Sequence, residues 1–388
     1  SWLLALCALI VTGLCHAEPI SVTLPTGEPV PHGESPPNLR SLGPLEYSGT
    51  WECRWGDSPR DATGQLQWAK PTSHSSEWNQ LGRYDGAPGR NGRSWLWLRS
   101  ELPPMELVDP VILFPHLDQE FQVYVEGKLV YEWGDFSTDK PAFLGYRGHI
   151  VRLPPDSGGK RLTLRIYSDH RNIGPAGSIH FGEHSQILVR LFKQDLPRQI
   201  VGGLMFLLAA AALVLYSQRR EERVYIIYAF LSMSGGVYIL SQSQLRLFLF
   251  DYPLYVTFVE LWSLQITLLA LCYFVGEMFG EGPLRVLYWL QKVQWVYLEG
   301  STVAVASGLV PVLRTLFPVQ MMLFFQALVT VGWSLFLAIR GSVEARIFVT
   351  GFLAAKSLRS RAPILHIDTI EFLEGNRHGI QARNEAQG

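Results

Sequence analysis

Aromatic and charged side chains gather in short stretches of the first half of this chain: Trp133 and Asp135, Tyr146 and Arg147, and Asp169, His170 and Arg171. Each stretch adjoins a run of alternating apolar residues, so loops at one end of a sheet would bring them together. Trp and Tyr offer flat apolar faces on which a sugar ring stacks, while Asp, Arg and His supply the hydrogen bonds that orient it. These residues form the candidate ligand-binding set, with Trp78 and Tyr84 as further aromatic candidates. The competing expectation is that tryptophans at this density simply fill a core.

Other spacings imply less chemistry. His180-Phe-Gly-Glu-His184 has the separation of two metal ligands on one helical turn, but Gly182 and the strand-like surroundings break the helical face that such a pair needs. No metal and no cofactor is expected. Glycoside hydrolysis would need two carboxylates across a cleft, and no pair is singled out, so catalysis is not expected either. Glu260 and Glu299 fall inside long apolar runs, where a carboxylate is costly and usually faces a bundle interior. They would relay a signal, bind an ion or, as the simpler reading, join interhelical hydrogen bonds with Gln265, Gln294, Gln320 or Gln326.

The elements that must position the loop residues are strands. Runs over 95–102, 111–114, 121–131, 149–153, 161–167 and 178–181 are short, and in 121–125 (FQVYV) and 162–166 (LTLRI) apolar residues recur at every second position. Gly- and Pro-containing turns at 126–128 and 154–159 separate them. The pattern predicts an antiparallel all-β sandwich over 46–192, preceded by a Pro/Gly-rich linker over 18–45.

Beyond it the text changes. The chain of 388 residues carries a net charge of -1 and 48% hydrophobic residues, but the apolar runs concentrate after residue 193. Stretches over 199–217, 224–240, 252–275, 286–311 and 316–339 approach the roughly 20 residues that cross a bilayer, which predicts an all-α transmembrane bundle over 193–355. Arg219, Arg220, Arg223, Arg285, Lys292, Arg340 and Arg346 fall on one predicted side, and Arg246 and Arg314 on the other. The positive-inside rule then places the sandwich outside the cytosol. The segment 186–197 joins sandwich to bundle as an edge strand or a short amphipathic helix lying on the membrane, with Pro197 marking the joint. Without clustered Lys and Arg there is no footprint for nucleic acid.

Residues 1–17 read as a signal peptide with a small residue at the cut, and a lipidated Cys7 or Cys15 is the alternative. Only Cys53 remains in the exported part, so its fold must hold without a disulfide. A partial sixth helix over 347–355 runs into Lys356, Arg359 and Arg361, and 356–388 reads as an aberrant, frameshifted tail or a short cytoplasmic one.

The order WLWLR (95–99), VYVEG (123–127), LTLRIY (162–167) and Gly174 resembles the sugar-binding jelly roll of glycoside hydrolase family 2, with Glu126 where that hairpin carries Asn. Placed before an apolar helical bundle, and with 339–346 (IRGSVEAR) leading into a sixth helix, it is similar to the bacterial seven-transmembrane receptors with diverse intracellular signalling modules. The resemblance covers about 46–355. It implies a multi-pass inner-membrane receptor whose periplasmic jelly roll perceives a small-molecule or carbohydrate ligand. Its helices would pass the signal to a diguanylate cyclase, histidine kinase or phosphatase. No signature of those outputs occurs in the chain, so the output is expected to lie outside it. Partners are then the ligand, the lipid bilayer and, as a further candidate, a second copy of the chain. The alternatives are a transporter or channel subunit with an exported ligand-binding domain, for which internal repeats would be expected and none is found, and a membrane-tethered carbohydrate-binding protein.

Overall fold

The computed structural model describes residues 44–350 apart from 48–49, 72–77, 82–86, 118, 137–144, 146, 170–172, 176, 249–251 and 281. The expected signal peptide, the linker up to 43 and the tail after 350 lie outside the described residues, as do Tyr84, Tyr146, His170 and Arg171.

The first part is an antiparallel sandwich of strands β1 (Leu45–Glu46), β2 (Trp51–Trp55), β3 (Asn79–Leu81), β4 (Trp95–Glu101), β5 (Pro110–Phe114), β6 (Glu120–Val125), β7 (Lys128–Trp133), β8 (His149–Arg152), β9 (Arg161–Tyr167) and β10 (His180–Glu183). One sheet has the order β1-β10-β5-β8 and the other β3-β2-β4-β9-β6-β7. Period-two alternation explains the burial: Leu96 and Leu98 on β4, Leu162, Leu164 and Ile166 on β9, and Phe121 and Val123 on β6 meet Ile112, Phe114, Val151 and Phe181 of the facing sheet. Each fully buried side chain of this size contributes about 1.5–3 kcal/mol. The run over 121–131 is a hairpin with its turn where Glu126-Gly127-Lys128 was expected: Glu126 and Gly127 both take positive φ (49° and 81°), the signature of a two-residue turn. Glu126 tolerates the conformation where Asn or Gly would be usual, and its carboxylate accepts the Arg161 N–H at 2.7 Å.

The outward positions of the six-stranded sheet are not simply wet. Trp97 stacks on Tyr124 with centroids 6.1 Å apart, and Trp68 meets both Trp97 and Trp78 edge-on. Three guanidinium groups cover these and neighbouring rings: Arg54 over Trp68 at 3.8 Å, Arg99 over Trp78 at 4.2 Å and Arg165 over Trp95 at 4.2 Å. Trp78 is therefore packed into a second cluster rather than displayed for a ligand.

The second part is helical: α1 (His184–Gln218), α2 (Arg223–Ser241), α3 (Pro253–Phe279), α4 (Val286–Ala306) and α5 (Leu316–Ile339), with a further helix beginning over 343–350. Four of these, α1, α2, α3 and α5, are long and apolar enough to cross a membrane. The run expected over 286–311 ends as a helix at Ala306, and Lys292, Glu299 and its glutamines make it less apolar than the other four. The joining segment 186–197 is also resolved. It is neither an edge strand nor a separate helix but the opening of α1, which begins at His184 and continues through Pro197. Ile187 and Leu191 bury its apolar stripe against Val111 and Leu113 of β5.

Inside the helical part, small residues allow close approach. A Cβ at Gly236 would stand 3.1 Å from that of Met205 and 3.3 Å from the Gly202 carbonyl oxygen, which fixes where α1 and α2 cross. Neutral polar groups bridge helices: Thr267 Oγ1 donates to Ser234 Oγ at 2.9 Å, Gln294 Nε2 to Gln326 Oε1 at 2.6 Å, and Gln326 Nε2 to the Leu268 carbonyl at 2.7 Å.

Candidate ligand site

Strand register decides which loops meet. Phe121 on β6 lies opposite Trp133 on β7 and Ile166 on β9, and Phe114 on β5 lies opposite His149 on β8. The segments after β5, β7 and β9 therefore leave from one end of the sandwich. Trp133, Asp135, Arg147 and Asp169 all stand at that end.

Two groupings form there from the candidate set. The Arg147 guanidinium lies 5.3 Å from the centre of the Trp133 ring. Trp133 in turn meets His149 edge-on at 5.0 Å, and the Tyr131 hydroxyl lies 3.0 Å from His149 Nδ1. His149 is buried at the rim of the core. Burial first, and then the charges of Arg147 and His116, push its ring down to about 3, so it is neutral. Burial likewise raises the Tyr131 hydroxyl. The second grouping is reciprocal: Gln119 Nε2 donates to Asp169 Oδ1 at 2.7 Å, while the Asp169 N–H donates to Gln119 Oε1 at 3.0 Å. This ties the β5–β6 connection to the segment after β9. Asp135 is exposed at the start of the β7–β8 connection.

A third grouping escaped the sequence reading. Arg165 points outward from β9, sits 4.2 Å from the Trp95 ring and 5.3 Å from the Phe136 ring, and grips Asp57 with Nε at 2.9 Å and Nη2 at 2.7 Å. Its remaining nitrogen donates to Gln122 Oε1 at 3.0 Å. Trp95 and Tyr167 are cross-strand partners with rings 4.9 Å apart. The only available signal was the phase of LTLRIY, which turns Arg165 away from the apolar face. Because its own partners satisfy the guanidinium, it organises the aromatic wall rather than offering an open hand to a ligand.

Glu260 and Glu299 part company. Glu260 Oε1 accepts from Gln242 Nε2 at 2.9 Å, at the C-cap of α2, and Gln242 is not one of the glutamines expected as its partner. Glu299 is exposed on the surface of α4 and does not face the bundle interior, because the helical phase puts Gln294 there instead. His180 and His184 fall on different elements, β10 and α1, and no group of three or more metal-ligating side chains occurs among the described residues.

Among solved structures, the chain is similar to a glycosyl hydrolase family 2 member from Bacteroides cellulosilyticus DSM 14838. The identity is 15%, with 36% of this chain and 20% of that chain covered and a TM-score of 0.27. A beta-glucuronidase of Faecalibacterium prausnitzii gives 17% identity over 32% and 21%, with a TM-score of 0.23. A beta-glycosidase of Bacteroides vulgatus gives 15% over 36% and 20%, with a TM-score of 0.25. The chain thus spans about a fifth of the length of these enzymes. No curated protein matches it. Residues 198–355, from within α1 to beyond α5, match the family model described as 7TM diverse intracellular signalling.

Proposed function

We propose that this protein is a membrane signal-transduction receptor whose sandwich senses a ligand on the periplasmic side of a bacterial inner membrane. Its helices relay that event toward a cytoplasmic output module such as a diguanylate cyclase, histidine kinase or phosphatase. The observation that carries this reading is the family match over 198–355, in a chain whose first apolar helix, α1, is continuous with a segment packed on the sandwich. Displacement of the segment packed on the sandwich would reach the first apolar run along the helix backbone.

The ligand end is the one carrying Trp133, Arg147, Asp135 and Asp169, with Tyr146, His170 and Arg171 on the same connections. An aromatic face capped by a guanidinium suits a hydroxylated or anionic small molecule, and carbohydrate is the class that uses both features. The sandwich acts as a binding module without catalysis. A second copy of the chain is the natural partner for lateral signalling in the membrane.

Reporter fusions test the topology. A fusion after Pro197 should report the exported side and one after Arg220 the cytosol. The same compartment for both would sink the reading. Ligand recognition is tested on the full chain in nanodiscs by titrating neutral and acidic sugars while following tryptophan emission. Arg147→Ala should weaken any response at least tenfold, and an unaltered titration curve would remove this end from consideration.

A further inference from the structure

The opening turns of α1 cover the outer face of the four-stranded sheet, where Ile187 and Leu191 pack with Val111, Leu113 and Ile150. Phe181 of β10 points into the core between the sheets, so its neighbour His180 points the other way, beneath α1. His180 lies opposite Leu113 on β5 and Glu46 on β1. It is 4% exposed, and neither ring nitrogen makes a hydrogen bond. Arg190 reaches this space from α1, between Ile187 and Leu191, and its Nε is likewise buried and unbonded.

A buried histidine whose ring nitrogens make no well-formed hydrogen bond, only a weaker approach to the Ser178 backbone, is destabilising as it stands and calls for a reason. Burial and then Arg190 hold the ring down to about 4, whereas Glu46 and the nearby Ser178 backbone pull the other way. The charged groups around it are few. Glu46 from β1 already accepts from Ser178 Oγ at 3.0 Å. On β10 itself Glu183 accepts the backbone N–H groups of Val108 and Asp109. On α1, His184 faces Asp109 at 3.3 Å, and Lys193 and Asp195 follow Arg190. From β8 the outward side chains are apolar Ile150 and the exposed Arg152, and from β5 they are Val111 and Leu113. A second cation beside Arg190 would thus meet one carboxylate, with the His180 ring itself shut away from water.

We propose that His180 and Arg190 form an acid-triggered release under the first turns of α1: protonation of His180 sets two like charges beneath the helix and loosens residues 184–195 from the sheet. The release itself does not depend on the receptor reading, and its meaning as an input signal rests on that reading. A proton is then a second stimulus, acting through the same helix as the ligand but from the outer face of the four-stranded sheet rather than from the loop end.

The test is hydrogen exchange on the full chain in nanodiscs between pH 7 and pH 4, corrected for the intrinsic pH dependence. Peptides covering 184–195 should exchange at least tenfold faster at pH 4, while those of β4 and β9 stay protected. His180→Leu should abolish the acceleration and Arg190→Gln should reduce it. Equal acceleration in His180→Leu, or loss of β4 and β9 protection together with 184–195, overturns the proposal. Should His180→Leu fail to fold, the His180 ring resonance of the unmodified chain decides. A titration midpoint below 5 supports the buried neutral ring, and one near the ordinary value of about 6.5 overturns it. Neither measurement needs a ligand or an output, so a failure here leaves the topology and ligand tests standing, and the reverse holds as well.

Discussion

The sandwich and the helical bundle bury polar groups in opposite ways. In the sandwich, Arg99 and Arg165 are 2% and 5% exposed, and each is held by a carboxylate and laid over an indole. In the helices after residue 198, the buried polar side chains among the described residues are Ser, Thr and Gln, without one full charge. The difference follows from the surroundings each part must satisfy. On the outward face of the central strands β4 and β9 each guanidinium gives up nearly all its water but gains a carboxylate partner and an indole to lie on, so the charge is tolerable. Between hydrocarbon-facing helices, only groups that can be satisfied by a neighbouring carbonyl or amide are affordable in number.

The comparison is broken most severely at Arg165. Arg165→Ala should destabilise the sandwich by about 3 kcal/mol, because Asp57 loses both bonds and the Trp95 and Phe136 rings lose their spacer. Thermal unfolding of the full chain in detergent, followed by near-ultraviolet dichroism, measures it. A loss below about 1 kcal/mol would mean that the pair behaves as an exposed surface bridge.

A titration sharpens the contrast next. His149 folds with its ring held at about 3, below its unfolded value, so the unfolded chain takes up the proton first as the solution is acidified. Its stabilising contribution is complete above about pH 6.5 and is lost as pH falls toward 3. Between pH 7 and pH 5 the sandwich should lose about 2 kcal/mol through this residue, and His149→Gln should flatten that slope. The helical bundle, with no buried charge among its described residues, should keep its helical dichroism over the same interval.

The smallest effect is expected in the bundle. Gln326→Leu removes the bond from Gln294 and the bond to the Leu268 carbonyl, yet should cost only about 0.6–1.5 kcal/mol. A double cycle with Gln294→Leu isolates the amide pair. A coupling above about 3 kcal/mol would show that this position is organised like the charged face of the sandwich.

Much of the architecture was legible residue by residue. The alternation in 162–166 placed β9, and the apolar lengths placed α1, α2, α3 and α5. The strands before Ser94 went unread, although Trp51, Cys53 and Trp55 alternate with polar neighbours and bury one face of β2. The opening of α1 fits either a strand or a helix in sequence, because the surface that its Ile187 and Leu191 stripe covers is not visible there. Of the candidate site, the shared end of the sandwich followed from strand order. The pairing of Arg147 with Trp133 and of Gln119 with Asp169 did not, and Glu299 was placed inward when the phase of α4 turns it out.

By itself the order of residues determined two solvents for two halves of the chain, because periodicity and apolar length are local properties written within ten or twenty positions. Only the tertiary structure decided that Asp57 clasps Arg165 across 108 positions, and that His180 lies unbonded beneath α1. Such pairs depend on which strands become neighbours and on which helix settles over them. Neither choice leaves a mark in the residues until the sheets have closed.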